Sequence, residues 1–233
     1  MNNLDTLIEN GLVVTENEIG HLNIGIKDGK IAYLGDENLN AELKINASDL
    51  IVLPGGIDPH VHVDQPSGDD VIMADNFQSA TKSAAAGGNT TILPFAMQIK
   101  GQSLRKCVED YHKKAQGNMY IDTSFHLIIS DPTPQVLGQE LPALSKDGYT
   151  SFKVFMTYDD LVLNDKELIE GFDVAKQLKT LVMVHAEGYD SIKYLSDKFE
   201  KEGKTAPYYH APTRPVSYTH LRAHETPEHR GCR

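Results

Sequence analysis

The stretch that most constrains the fold of this chain covers residues 53–66 and reads Leu-Pro-Gly-Gly-Ile-Asp-Pro-His-Val-His-Val-Asp-Gln-Pro. Its first proline and two glycines break regular structure, and the residues that follow have the composition of a strand. Alternate side chains of a strand share a face, so His60 and His62 point to one side while Val61 and Val63 pack on the other. Two imidazoles held on one face can form half of a metal site. They could also be ordinary histidines at a strand end, because His-x-His is short and common.

Strands and helices alternate along the chain after this stretch. The predicted strands are 57–63, 90–95, 123–129, 151–156 and 181–186. The predicted helices are 75–86, 103–116, 134–146 and 165–178, with Ser103 and Asp165 as N-caps. Repeated βα units imply a parallel sheet, either a closed (β/α)8 barrel or an open doubly wound sheet. No Gly-x-Gly-x-x-Gly follows the first strand, so a dinucleotide-binding fold is not supported.

The first 53 residues form a different pattern of short strands. Asn10-Gly11 and Asp28-Gly29 each separate two short apolar runs. Both pairs predict a hairpin, because the two central residues of a type I′ turn need positive φ. This segment therefore predicts a small β domain rather than the beginning of the parallel sheet.

Composition narrows the class of protein. The chain has 233 residues, 40% of them hydrophobic, and a net charge of -11, so we expect no binding to nucleic acid or to an anionic membrane. No apolar run approaches the roughly eighteen residues of a membrane span, and no signal peptide is recognisable. Cys107 is the one cysteine outside the C-terminal tail, which predicts no disulfide framework and agrees with a reducing, cytoplasmic location.

The run from Pro54 to His62 resembles the first metal-binding strand of the cyclic amidohydrolases, specifically the dihydropyrimidinase/hydantoinase group. The resemblance covers residues 4–215. Asp64 matches D-hydantoinase-like members, whereas the alternative enzymes, allantoinases and dihydroorotases, typically have arginine there. The resemblance implies an α/β fold with a small β-sandwich piece over 1–53 and a (β/α)8 metal-dependent hydrolase barrel over 54–215. Only five of the eight strands can be counted, so the barrel is expected to be truncated.

Lys153 lies in the otherwise apolar strand Ser-Phe-Lys-Val-Phe-Met. Burial lowers the pKa of a lysine and makes its amine nucleophilic, although a snorkelling or salt-bridged lysine is the alternative. The segment resembles the family pattern in which this lysine reacts with carbon dioxide to give a carbamate. The resemblance implies two divalent ions, expected to be zinc, bridged by that carbamate. Their implied ligands are His60, His62, Lys153 and His185.

Two residues after the later strands match further family motifs. His185 ends an apolar strand and resembles the histidine of the Val-His-Ala-Glu segment, which ligates the second metal; we interpret Glu187 and Asp190 as supporting or solvent-facing groups. Tyr158 resembles the tyrosine that binds substrate and the oxyanion of the tetrahedral intermediate, with a rim tyrosine as the alternative. Asp64 could contact substrate or cap a loop, and both alternatives stay open.

The resemblance implies an enzyme that opens the ring of a cyclic amide or ureide, a hydantoin or a dihydropyrimidine, by means of a hydroxide that bridges the two metals. It also implies a homotetramer at full length. The family takes another histidine from strand six and a catalytic aspartate from strand eight, and no position here matches either, so this fragment itself is expected to be inactive. A non-catalytic dihydropyrimidinase-related scaffold is the alternative from another class, and the joint presence of the four implied ligands argues against it.

Residues 216–233 break the pattern and resemble translated sequencing-adapter DNA, so we exclude this tail from the fold prediction. His220 and His224 have helical spacing, but no glutamate stands beside the first of them, and a zinc motif is not predicted. The other histidines match no motif: His21, His112 and His126 are interpreted as surface or packing residues, and His210 stays unassigned.

Overall fold

The computed structural model describes residues 3–68 and 70–216. These residues form two compact units, 3–56 and 57–216. Among them, no helix combines the length and the apolar character that a bilayer crossing requires. The tail histidines considered above, His220 and His224, lie outside the described part, as do His229 and Cys232.

The first unit contains one five-stranded sheet. Its strands are β1 (Leu4–Val14), β2 (Ile19–Lys27), β3 (Lys30–Gly35), β4 (Ala41–Asn46) and β5 (Ile51–Val52). The order is β3-β2-β1-β4, and β5 also pairs with β1. Because β1 is antiparallel to β2 and parallel to β4 and β5, the sheet is mixed rather than built from hairpins alone.

The two predicted hairpins have different outcomes. Asp28 and Gly29 connect β2 to β3 with φ values of 50° and 72°, so the type I′ prediction is confirmed. The hairpin predicted at Asn10-Gly11 is wrong, because β1 continues through both residues. Asn10 takes a φ of 67° and the register with β2 shifts there, which is a β-bulge. Gly11 is needed because a Cβ would lie 2.6 Å from Cγ2 of Val52.

The second unit alternates strands with helices. Its strands are β6 (Gly56–Val61), β7 (Asn89–Met97), β8 (Asp122–Thr123), β9 (His126–Ile128), β10 (Ser151–Phe155) and β11 (Leu181–His185). Its α-helices are α1 (Phe77–Ala86), α2 (Leu104–Ala115), α3 (Leu141–Lys146), α4 (Asp165–Leu178) and α5 (Tyr189–Lys201). A π-helical turn (Val136–Glu140) precedes α3, and a 3-10 helix (Pro207–Thr213) follows α5.

The order of strands in the second sheet decides between the two predicted architectures. The order is β6-β7-β9-β10-β11, with β8 paired to β7, and the β7–β9, β9–β10 and β10–β11 pairs are parallel. Each later strand along this path is added on the same side, as in a (β/α)8 barrel, whereas a doubly wound sheet reverses direction. The predicted α/β barrel architecture is confirmed, and the described strands form about half of it.

Local chemistry explains where the predicted elements shift. Ser103 is the N-cap of α2, as predicted, and its side chain accepts a hydrogen bond from the backbone of Lys106. The N-cap predicted at Asp165 is wrong, because Asn164 caps α4 in a reciprocal capping box with Glu167. The predicted strand 123–129 is divided into β8 and β9, and α5 was not among the predicted helices.

The buried carboxylate of Glu140 binds the N-terminus of α2. Glu140 is 5% exposed and accepts hydrogen bonds from Oγ of Ser103 at 3.0 Å and from the backbone nitrogen of Arg105 at 3.2 Å. Nε2 of Gln135 donates a third hydrogen bond at 3.0 Å. Burial raises the pKa of Glu140, but these hydrogen bonds, together with one from the backbone of Leu104, outweigh burial and hold the pKa below its ordinary value.

We expect Glu140→Gln to lower the free energy of unfolding by about 1–3 kcal/mol at neutral pH. The amide group of glutamine places its own N–H donors against donors that now bind the carboxylate, and the substitution also removes the negative charge. The pKa of native Glu140 is depressed, so its contribution is present above the unfolded-state pKa and is lost as the pH falls through the native value. Urea titration over a pH series measures both effects. Glu200→Gln, on the exposed surface of α5, is the matched control. A difference from the wild type that does not shrink at acid pH would contradict this account.

Candidate metal centre

The ring of Phe95, fully buried in β7, contacts predicted ligands from two other strands. His60 meets this ring edge-on with centroids 4.7 Å apart, and His62 stacks on it at 5.1 Å. The two imidazole rings lie 5.5 Å from each other. Nζ of Lys153 lies 4.8 Å from the centroid of Phe95. Three of the four predicted metal ligands therefore surround one aromatic ring.

Lys153 is buried beside a histidine. Its side chain extends from β10, the residue is 6% exposed, and Nζ lies 3.5 Å from Nε2 of His60. Burial lowers the pKa of Lys153. The pKa of His60 is lowered first by burial and then by the charge of Lys153. Both shifts favour the neutral bases, the forms in which an imidazole binds a metal ion and an amine acts as a nucleophile.

The predicted alternative of a salt-bridged lysine is not supported for Lys153. Within residues 3–68 and 70–216, no carboxylate forms an ion pair with its Nζ. Instead, the amine lies between two aromatic rings, 4.8 Å from the centroid of Phe95 and 5.1 Å from that of Phe155. A lysine in such surroundings has lost most of its hydration without gaining a counter-ion.

His126 holds the strand that carries His60. It is 6% exposed, its Nε2 donates a hydrogen bond to the carbonyl oxygen of Pro59 at 2.8 Å, and its Nδ1 accepts one from the hydroxyl of Ser151. The ring also lies 5.0 Å from that of Phe95. Because both ring nitrogens are used, His126 is a packing residue, in agreement with the interpretation from the sequence.

His185 occupies a neighbouring position at the end of β11. Its ring stacks on Phe155 with centroids 5.6 Å apart, and Lys153 approaches the same phenyl ring. Nε2 of His185 lies 2.7 Å from a carboxylate oxygen of Glu187 and 3.4 Å from the hydroxyl of Tyr158. His185 is therefore linked to Lys153 through Phe155 rather than by a direct hydrogen bond.

Glu187 and Tyr158 complete the group around His185. The side chain of Glu187 is 16% exposed and also lies 3.8 Å from Nε of Arg214. Burial, followed by the negative charge of Glu187, raises the pKa of Tyr158, so its phenol keeps its proton at neutral pH. Tyr158 has a φ of 73°, a left-handed conformation that is uncommon outside glycine and is found preferentially at functional sites.

Asp64 is not brought into contact with the predicted ligands. Its carboxylate lies 3.2 Å from Nζ of Lys114 in α2, and the same amine donates to the backbone oxygen of Asp64 at 2.7 Å. The backbone of Asp64 has a φ of 51°. These contacts favour the loop-capping alternative for Asp64 over substrate contact.

A cleft of about 730 Å³ opens beside Tyr158 in the second unit. Met97 from the end of β7 and two side chains of α5, Tyr189 and Lys193, line it together with Arg214. The α5 residues were missed, although Tyr189, Ile192, Leu195 and Phe199 recur at helical spacing and could have identified the helix. The volume lies in the range of pockets that bind small molecules.

The donor set fits a metal ion only when Lys153 is included. In the described ranges, His, Cys, Asp and Glu side chains form no group of three or more that could hold a metal. His60 and His62 supply two imidazoles, and a carboxylated Lys153 would add oxygen donors beside them. The lowered pKa values of His60 and Lys153 and the apolar surroundings of the lysine suit this chemistry.

A parallel sheet wound in one direction, with histidines and a buried lysine toward its strand ends, is typical of barrel hydrolases that use metal ions. Residues 51–222 match the sequence model of the amidohydrolase family. The chain belongs to the amidohydrolase family.

Named relatives agree with this assignment. The chain is 48% identical over 214 residues to a D-hydantoinase of Geobacillus stearothermophilus, covering 90% of this chain and 45% of the relative. It is 34% identical over 218 residues to a dihydropyrimidinase of Rattus norvegicus, covering 90% and 41%. A solved D-hydantoinase structure superposes with a TM-score of 0.90 at 44% identity, covering 94% of this chain and 48% of the other. The chain spans about half the length of the curated relatives it matches.

We expect His126→Phe to lower the free energy of unfolding by about 1–3 kcal/mol, because the buried imidazole loses two hydrogen bonds, to the carbonyl of Pro59 and from the hydroxyl of Ser151, each typically worth about 0.5–1.5 kcal/mol. Urea titration measures the change. His21→Phe, at an exposed histidine of the first unit, is the matched control. Equal effects of the two substitutions would show that the hydrogen bonds of His126 contribute nothing to stability.

Proposed function

We propose that this chain supplies metal-binding residues of a cyclic amidohydrolase that opens a hydantoin or dihydropyrimidine ring by hydrolysis. The proposal concerns a protein of the length of the curated relatives. The single observation that carries it is the contact between buried Lys153 and His60 beside the ring of Phe95. The relatives' names, D-hydantoinase and dihydropyrimidinase, support the choice of substrate class.

In this proposal His60 and His62 would hold one divalent ion, His185 would help to hold a second, and a carboxylated Lys153 would be a ligand to both. The neutral amine of Lys153 attacks the carbon of carbon dioxide, a nitrogen–carbon bond forms while one carbon–oxygen π bond breaks and its electron pair moves to oxygen, and the nitrogen loses a proton to solvent. The lowered pKa of Lys153 supports this step because only the neutral amine is a nucleophile. Two bound divalent ions, for which we propose zinc, would polarise the amide carbonyl and acidify a water molecule.

Tyr158 is proposed to donate a hydrogen bond to the oxygen that becomes negative as the amide is attacked. Its hydroxyl lies 3.4 Å from Nε2 of His185 and its side chain borders the cleft. A donor placed where charge develops stabilises the transition state more than the substrate. The raised pKa of Tyr158 supports this role, since the phenol must keep its proton.

Glu187 is proposed to orient His185. A carboxylate beside a metal-binding histidine sets the ring orientation and raises the basicity of the ligand. The proposal also includes a cytoplasmic location, which agrees with the buried, reduced state of Cys107, and a homotetramer at full length.

We expect Lys153→Met to reduce bound zinc to background, because the methionine cannot form a carbamate. Metal content per chain, and a carbamate signal in carbon-13 NMR after incubation with labelled bicarbonate, measure the effect. Lys176→Met, at an exposed lysine of α4, is the matched control and should retain both signals. If Lys153→Met keeps the zinc content and the labelled signal of the wild type, the proposed bridge is wrong. Background zinc in the wild type would favour the scaffold alternative.

In a ring-opening protein of the relatives' length, we expect Tyr158→Phe to lower kcat by about 10²–10³-fold, with a much smaller change in KM, because the lost hydrogen bond is made in the transition state. Steady-state hydrolysis of a hydantoin and of a dihydropyrimidine gives both constants. Tyr194→Phe, at an exposed tyrosine of α5, controls for removal of a phenol hydroxyl. An unchanged kcat would assign Tyr158 to packing of the rim.

A further inference from the structure

We propose that Gln65 is a positioning residue that fixes His62 in the tautomer with its proton on Nδ1, so that Nε2 presents its lone pair for a metal ion. This inference rests on the proposed function, because it assigns Gln65 a task at the same centre. It concerns a residue that follows the His-x-His pair and matches none of the motifs considered above.

The orientation of the Gln65 amide is determined by a backbone carbonyl. Nε2 of Gln65 donates a hydrogen bond to the carbonyl oxygen of Phe95 at 3.1 Å. A carbonyl oxygen can only accept, so the NH₂ end of the amide must face Phe95 and the oxygen end must face the other way. That oxygen, Oε1, lies 2.7 Å from Nδ1 of His62.

The tautomer of His62 follows from this orientation. Oε1 of Gln65 is an acceptor, so Nδ1 of His62 must carry the proton that it receives. In a neutral imidazole the other nitrogen, Nε2, then has a free lone pair. In water a histidine side chain favours the opposite tautomer, and His62 is exposed, so a specific partner is needed to select this one.

Phe95 couples the two halves of this arrangement. Its ring stacks on the imidazole of His62 at 5.1 Å, and its backbone oxygen holds the amide of Gln65. The phenyl ring thus restrains the tilt of the imidazole plane, and the amide restrains rotation of the imidazole within that plane. Metal-binding histidines commonly have such a partner on the second nitrogen, and its loss typically lowers metal affinity 10–100-fold.

Nitrogen-15 NMR of the histidine rings in the metal-free chain tests the inference, with His62 assigned through a His62→Gln spectrum. We expect the Nδ1–H tautomer in the wild type and a shift toward Nε2–H in Gln65→Leu. Gln65→Glu keeps an acceptor and should keep the Nδ1–H tautomer. Gln177→Leu, at an exposed glutamine of α4, is the matched control and should not alter the spectrum of His62.

A zinc titration against a competing chelator gives the second readout, with an expected loss of affinity of about 10–100-fold in Gln65→Leu. An Nε2–H tautomer in the wild type would overturn the inference, and this spectrum decides it even if Gln65→Leu fails to fold. An unchanged tautomer in Gln65→Leu would also overturn it, whatever the zinc affinity. If a protein of the relatives' length binds no zinc while this chain shows the predicted tautomers, the proposed function is refuted and the assignment of Gln65 stays intact.

Discussion

The phenyl ring of Phe95 is the contact on which the arrangement of the site depends. It lies in β7, and side chains from β6, β9 and β10 approach it. Lys153 belongs to a strand that is two positions away in the sheet order, yet its amine lies 4.8 Å from the ring. The concave face of a curled parallel sheet lets distant strands converge in this way, and the apolar ring then helps to exclude water from the buried side chains of Lys153 and His126.

That exclusion of water determines the chemistry available to the nitrogen bases. Burial disfavours the charged forms of Lys153 and His60, and the charge of the lysine further lowers the pKa of the histidine. Lys153 and His60 consequently bind a proton less readily than they would in water, which favours the forms that accept a metal ion or an electrophile. His185 differs from Lys153 and His60 in having a carboxylate partner: the side chain of Glu187 lies within hydrogen-bonding distance of its imidazole.

Much of the fold and the composition of the site could be predicted because they follow from local patterns. The His-x-His spacing places His60 and His62 together, although β6 ends at Val61, and an apolar strand implies a buried Lys153. The contact between Gln65 and His62 could not be predicted, because it depends on a loop that brings the amide to the carbonyl of Phe95. Asn10-Gly11 was misassigned for a similar reason: the dipeptide permits positive φ, but the partners on both sides of β1 decide between a turn and a bulge.

The central claim is that His60, His62 and carboxylated Lys153 bind a metal ion beside Phe95. X-ray absorption spectroscopy at the zinc edge, on the zinc-loaded chain prepared with bicarbonate, tests it most directly. The account predicts imidazole scattering from histidine ligands together with oxygen ligands, and a change in the oxygen contribution in Lys153→Met. A zinc environment without imidazole scattering, or one identical in the wild type and in Lys153→Met, would contradict it.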